Sequence, residues 1–311
     1  DAKDLAFAQG LELVEDEGLL EEASGLVEYP VTLMGKFDEE FLSVPPEVII
    51  TSIKKHQKCF SVKDQESGKL ANHFILVSNL IAEDGGKEIV SGNERVIAAR
   101  LSDAKFFWDT DRKTKLETFA EKLDEVTFHA KLGSLADKVK RFTILAEKIA
   151  DITGAEKAQV REAAKLCKAD LLSDMVGEFA DLQGLMGHYY ALHEGKSEDV
   201  AEAISTHYAP LGPGDEVPKN SVAICVALAD KLDTLIGFWS IEEKPTGSKD
   251  PYALRRAALG VIRIIVENDL RLDLMALLQD HGANFEGHDP NETTRLLFAF
   301  IAAHLNMKLS E

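Results

Sequence analysis

The chain has 311 residues, 45% of them hydrophobic and 29% charged, with only 3 cysteines. That mixture is ordinary for a globular protein and excludes a disordered polyelectrolyte, and no apolar run approaches the ~20 residues of a membrane helix. With 35 Lys+Arg against 54 Asp+Glu the net charge is −19, which repels phosphate and argues against DNA or any nonspecific nucleic-acid partner.

The acid is unevenly spread. Asp1–Glu40 carries 12 acidic and 2 basic residues, whereas 41–115 carries 10 acidic and 12 basic, so a basic face is compatible with the acidic total. The start on Asp1, without an initiator Met or signal peptide, reads as an excised piece of a longer chain. Cys59, Cys167 and Cys225 form no metal-type pair and leave an odd thiol, which fits a reducing cytoplasm.

In chain order, Leu26–Met34 reads as a strand interrupted by Pro30, hence an edge or a bulge. Pro45-Pro46 opens a helix predicted over Glu47–Gln57. Cys59–Lys63 and Phe74–Leu80 read as strands around a turn at Ser67-Gly68. Ile97, Leu101, Ala104 and Trp108 place one apolar stripe on a helix predicted over 88–109. Residues 1–115 therefore read as an α+β module.

From Leu116 onward the periodicity is helical. One helix, begun at His129, has Leu132, Ala136, Val139, Leu145 and Ile149. A second, with Val160, Ala163, Cys167 and Leu171, contains Asp170. A third, with Val222, Cys225, Ala229, Leu232 and Ile236, carries Asp230. A fourth has Leu254, Ala258, Val261 and Ile265, with Asp250-Pro251 as cap and first turn. Residues 210–218 form a loop, and Val266–Leu278 and Thr293–Leu309 read as closing helices. Residues 116–311 read as an all-α domain.

No phosphate-binding glycine loop, nucleophile elbow, HExxH or CxxC is present. Histidine and aspartates from different helices of a bundle can converge on a metal, and the order of His129, Asp170 and Asp230 resembles the HD superfamily of metal phosphohydrolases. Ala169, in Lys168-Ala169-Asp170, stands where that pattern has its paired histidine, which removes a strong ligand. The competing reading has His129 packed on apolar surface and the aspartates capping backbone or pairing with lysines.

The basic candidates for phosphate are Lys54, Lys55 and His56 at a helix end, Arg95 and Arg100 on the long helix, and Lys249, Arg255, Arg256 and Arg263 around the fourth helix. Arg256 and Arg263, seven apart, share a face. Tyr189, Tyr190 and Tyr208 are aromatic candidates for stacking, with packing in the core as the favoured reading.

Several segments resemble, in family order, the β subunit of the bacterial heterotetrameric glycyl-tRNA synthetase. They include VEYPV at 27–31, GKFDEEF at 35–41, HQKCF at 56–60, VSN at 77–79, GNERV at 92–96 and ARLSDAKFF at 99–107. FHAKLG at 128–133, MVGEF at 175–179, LQGLMG at 182–187, ADKLD at 229–233 and PTGSKDPYALRR at 245–256 continue the series. The resemblance implies the middle of that subunit, an α+β module followed by an HD-like helical domain. It implies that an α subunit activates glycine with ATP and Mg while the β subunit binds tRNA(Gly), in the cytoplasm and without a membrane. For this chain it implies no catalytic residue, no metal and no bound cofactor, with His129, Asp170 and Asp230 as vestigial HD positions. Lys54, Lys55, His56, Arg95, Arg100, Lys249, Arg255 and Arg256 are the expected tRNA contacts. An HD-type metal-dependent phosphohydrolase, an editing hydrolase, and a scaffold that holds the α subunit without touching RNA are the alternatives.

Overall fold

A computed structural model describes the backbone of residues 1–310 and the side chains of 1–305, in two units: 1–113 with 177–182, and 114–176 with the residues from 183 onward. The first unit contains helix α1 (Ala2–Phe7), strand β1 (Leu11–Leu13), α2 (Glu17–Leu26), β2 (Val31–Lys36), α3 (Pro46–Gln57), β3 (Phe60–Asp64), β4 (Leu70–Ser78) and α4 (Lys87–Asp111). Its sheet is antiparallel in the order β1-β3-β4-β2.

The strand expected over Leu26–Met34 is corrected. Asp16 caps α2 by accepting from the Leu19 N–H, and the helix runs through Leu26. Pro30, which has no N–H to give a ladder, stays just outside β2, and β2 is an edge strand as expected. One sheet face buries Leu11, Phe60, Val62 and Ile75 against Ala6 of α1 and Leu19 and Ala23 of α2. On β4, Phe74 and Leu76 are buried on the opposite face. Ile97, Leu101, Ala104 and Trp108 of α4 are all buried, as their spacing predicts.

Gly35 of β2 is paired with Phe74 of β4, and the phenyl ring lies across the glycine. A Cβ built on Gly35 would sit 2.4 Å from the ring's Cζ, so the edge strand closes over an aromatic only because this position has no side chain.

From Thr114 onward the elements are α5 (Leu116–Glu121), a short hairpin of β5 (Thr127–His129) and β6 (Gly133–Ser134), α6 (Leu135–Thr153), α7 (Lys157–Leu166), α8 (Asp174–Glu178), α9 (Leu185–His193), α10 (Glu198–Thr206), α11 (Ser221–Ser240), α12 (Leu254–Glu267), α13 (Leu274–Gly282) and α14 (Pro290–Ser310). α11 is the axis of the second unit. Val222 to Asp233 are buried without interruption, and α6, α7, α10, α12, α13 and α14 pack around it. Apolar residues all round a helix demand that enclosure.

Three sequence expectations change here. His129 ends β5 rather than starting a helix: Gly133 takes a positive φ of 85°, and Ser134 and Asp137 form a capping box that starts α6. Asp170 lies in a 3-10 turn over Ala169–Leu172, after α7 has stopped at Leu166. The helix expected over Val266–Leu278 is broken: Asn268 ends α12, Asp269 has φ 51°, and α13 starts afresh under an Asp273 cap. The stripe of α14 ends at Leu309, which lies outside the residues whose side chains are described.

Cys59, Cys167 and Cys225 are free and buried, and burial pushes their thiols up to about 12, 12 and 11. Among the described residues no helix is long and apolar enough to cross a membrane.

Gly35→Ala drives a methyl into the Phe74 ring. We expect a loss of about 1–3 kcal/mol of stability, read from the urea midpoint, and recovery of most of it in the Gly35→Ala/Phe74→Leu double variant.

Candidate nucleic-acid interface

The candidate cations divide into engaged and free. In the first unit, Lys54 lies 2.5 Å from the Asp16 carboxylate. Lys55 donates to the Glu178 carbonyl and sits over the Phe179 ring. His56 packs edge-on against Phe179, 3.9 Å from a Glu178 oxygen. Burial, reinforced by the Arg100 guanidinium, pushes His56 below the ordinary imidazole range, so it offers phosphate a neutral ring. Arg95 and Arg100 are exposed and carry no ion pair among the described residues. Five residues apart on α4, they point about 140° apart around the helix axis.

In the second unit the loop 245–253 is held from inside. Thr246 and Lys249 exchange backbone hydrogen bonds of 3.0 and 2.8 Å. The Arg255 guanidinium donates to the Gly247 carbonyl at 2.7 Å, so this arginine is a brace. Asp250 accepts from the N–H groups of Leu254 and Arg255 at 2.8 and 2.9 Å. Asp250 thus caps α12 as expected, but from four residues ahead, and Pro251 lies before the helix rather than in its first turn. Lys249 and Arg256 are exposed, with no ion pair among the described residues. Arg263 does not join Arg256 as a free cation: it pairs with Glu267 at 2.7 Å and donates to the Gly212 and Asp215 carbonyls.

Of the aromatic candidates, Tyr190 is buried in the core at 2% exposure, as the core-packing reading has it. Tyr208 is covered on one side by His207 and on another by the Lys168 ammonium, 3.8 Å from its ring centroid. Tyr189 is half-buried on α9. The aromatic that does reach the surface beside free cations is Tyr252, inside the PTGSKDPYALRR run. The charges around it in the sequence drew attention to the arginines and away from the ring.

The HD-type positions do not converge. The His129 ring packs edge-on against Phe238 and Tyr252, at 5.4 and 5.8 Å between centroids, and its Nδ1 accepts from the Lys131 N–H. Asp170 Oδ2 accepts from the N–H groups of Gly184 and Gly187, at 2.5 and 3.0 Å. Asp230 is gripped by two ammonium groups, Lys138 and Lys168, each 2.8 Å from a carboxylate oxygen. Among the described residues no group of three His, Cys, Asp or Glu is placed to hold a metal ion. The donor set argues the same way, because a divalent ion on Asp230 would share the carboxylate with two buried cations.

One turn further on, Asp233 pairs with Lys138 at 3.3 Å, Arg141 at 3.0 Å and His281 at 2.9 Å. Lys231 donates to the Tyr208 carbonyl at 2.8 Å. Burial alone would raise the Asp230 carboxyl, but Lys138 and Lys168 overrule it and hold it well below the usual carboxylate range. Lys231 has no carboxylate of its own, and burial brings it down to about 8. Asp170 moves the other way: burial outweighs its two N–H donors and pushes it up to about 6.

Asp230→Ala leaves two buried ammonium groups short of a partner, and we expect it to cost about 3–5 kcal/mol by chemical denaturation. Asp170 gives a pH test. Between about pH 4 and 6 the folded chain holds its proton and the unfolded chain does not, so this residue makes stability fall as pH rises through that window. Its Oδ1 has no hydrogen-bond partner, which leaves room for the amide of Asp170→Asn. Urea midpoints measured across that window are expected to fall less steeply with pH in Asp170→Asn than in the wild type.

The comparisons with known proteins agree on one family. The family model described as glycyl-tRNA synthetase beta subunit matches residues 1–311. A glycine–tRNA ligase beta subunit of Phenylobacterium zucineum (strain HLK1) is 55% identical over 287 residues, 91% of this chain and 43% of that protein. One of Dinoroseobacter shibae (strain DSM 16493 / NCIMB 14021 / DFL 12) is 53% identical over 307 residues, 98% of this chain and 42% of that protein. The chain therefore spans less than half the length of these curated relatives. By a match that runs from its first residue to its last, the chain belongs to the glycyl-tRNA synthetase beta-subunit family.

Proposed function

We propose that this chain is a tRNA-binding, noncatalytic part of a glycine–tRNA ligase beta subunit. It assists an α subunit that attaches glycine to tRNA(Gly) with ATP and Mg, in a cytoplasmic heterotetramer. The observation that carries the reading is the pair Lys249, on a loop braced from within, and Arg256, in the first turn of α12, both exposed and without an ion pair among the described residues, in a chain whose net charge is −19. Cations left without an acidic partner on a fixed frame suit phosphate. Arg95 and Arg100 of the first unit are further free cations. Lys54, Lys55, His56 and Arg255 support the frame, because each already has a protein partner. The acidic remainder restrains nonspecific binding and leaves specificity to a few placed contacts.

The catalytic reading finds no support in the geometry, since Asp230 is committed to Lys138 and Lys168. A scaffold without RNA contact makes a different prediction from ours. In the full-length subunit with its α partner, Lys249→Ala/Arg256→Ala is expected to weaken tRNA binding and to lower the slope of log K against log salt by roughly 1.5–2. Unchanged affinity and slope would place tRNA elsewhere and leave the scaffold reading standing.

A further inference from the structure

Tyr252 is built differently from the other aromatics of the second unit. Its ring stacks on Phe238 at 4.1 Å between centroids and 24° between planes. Phe238 is 3% exposed and belongs to the buried axis α11, so the lower half of the stack is immobile. The His129 ring meets Tyr252 edge-on at 87°, which fixes the tyrosine against rotation. Tyr252 itself is 36% exposed, and its hydroxyl has no hydrogen-bond partner among the described residues. One face of the ring lies on Phe238, and the exposed part of the residue is what a ligand can reach.

The backbone fixes the ring in place. Ala253 is in the left-handed region at φ 53°, a conformation that a non-glycine residue keeps only when its surroundings impose it. The imposing groups are Asp250 on the following N–H groups and Arg255 on Gly247. Charge in the run 247–257 around Tyr252 is one-sided. Lys249 and Arg256, three residues before and four after, have no ion pair among the described residues, while Asp250 spends both its oxygens on backbone donors.

We infer that Tyr252 is a stacking platform for one unpaired base of a single-stranded RNA segment, whose phosphates meet Lys249 and Arg256. An open aromatic face suits any base, and only an unpaired base can present its own face to it. This rests on the RNA-binding reading above and adds to it which part of the RNA is held: a single strand rather than a duplex.

The test uses the full-length subunit with its α partner. Its probes are a short single-stranded RNA carrying 2-aminopurine and a blunt RNA duplex. Tyr252→Leu keeps the packing on Phe238 without the π-face, Tyr252→Ala removes both, and Tyr252→Phe retains the platform. We expect Tyr252→Leu and Tyr252→Ala to weaken the single strand by about 5- to 150-fold, the range of one base–aromatic stack, and to abolish its fluorescence quenching. Tyr252→Phe should behave as wild type, with duplex affinity and the salt slope unchanged in all three. Wild-type affinity for the single strand in Tyr252→Leu and Tyr252→Ala overturns the platform, as does an equal loss for duplex, which would mean a displaced loop. Lys249→Ala/Arg256→Ala separates the two readings. If it lowers affinity and salt slope while the tyrosine variants do not, phosphate binding stands and stacking falls; if it changes neither, the RNA-binding reading itself fails.

Discussion

The second unit depends on keeping two aspartates charged in its interior. Asp230 and Asp233, one turn apart on α11, face inward and have no water to solvate them, so cations must come from elsewhere in the chain. Lys138 and Arg141 reach them from α6, Lys168 from the turn after α7, and His281 from α13. Lys231, between the two, turns the other way and ties α11 to the carbonyl of Tyr208. One five-residue run thus sets the azimuth of α11 against four other segments. Apolar packing would tolerate small rotations, but directed ion pairs do not, and Phe238 inherits its position from that constraint.

What could be read in the sequence follows from how local the cause is. α3, α4 and α11 are announced by proline position and apolar spacing within a dozen residues, and they form where expected. The capping box at Ser134 and Asp137 was equally local, yet the apolar spacing of Leu132 drew the helix start back to His129. The break after Asn268 turns on a left-handed Asp269, which apolar periodicity does not register. Pairing of the HD-type aspartates with lysines was among the readings of the sequence. That Lys138 and Lys168 are the partners of Asp230 was not, because those lysines lie 92 and 62 residues away. Nothing local marks Tyr252, because its exposure is set by Phe238 and by a brace between Arg255 and Gly247, both tertiary facts.

The acidic total and the basic candidates are two scales of the same electrostatics. Summed over the chain, carboxylates exceed cations, and many surface cations are consumed locally, as Lys58 is by Glu22 and Arg161 by Glu147. Such exposed pairs add little stability. Their effect is subtractive, since they cancel fields that would otherwise draw phosphate to many places. A cation left unpaired beside a braced loop then stands out against a quiet or repulsive background.

The burial of all three cysteines has a practical side. With each thiol enclosed and its proton held to about pH 11 or above, none presents a thiolate to an electrophile or an oxidant at neutral pH. A cysteine introduced at an exposed position such as Ser248 would react with a maleimide dye or a crosslinker well ahead of the native three. These residues are thus already suited to site-directed labelling, and distances between the braced loop and a bound partner can be followed by fluorescence without first removing any native thiol.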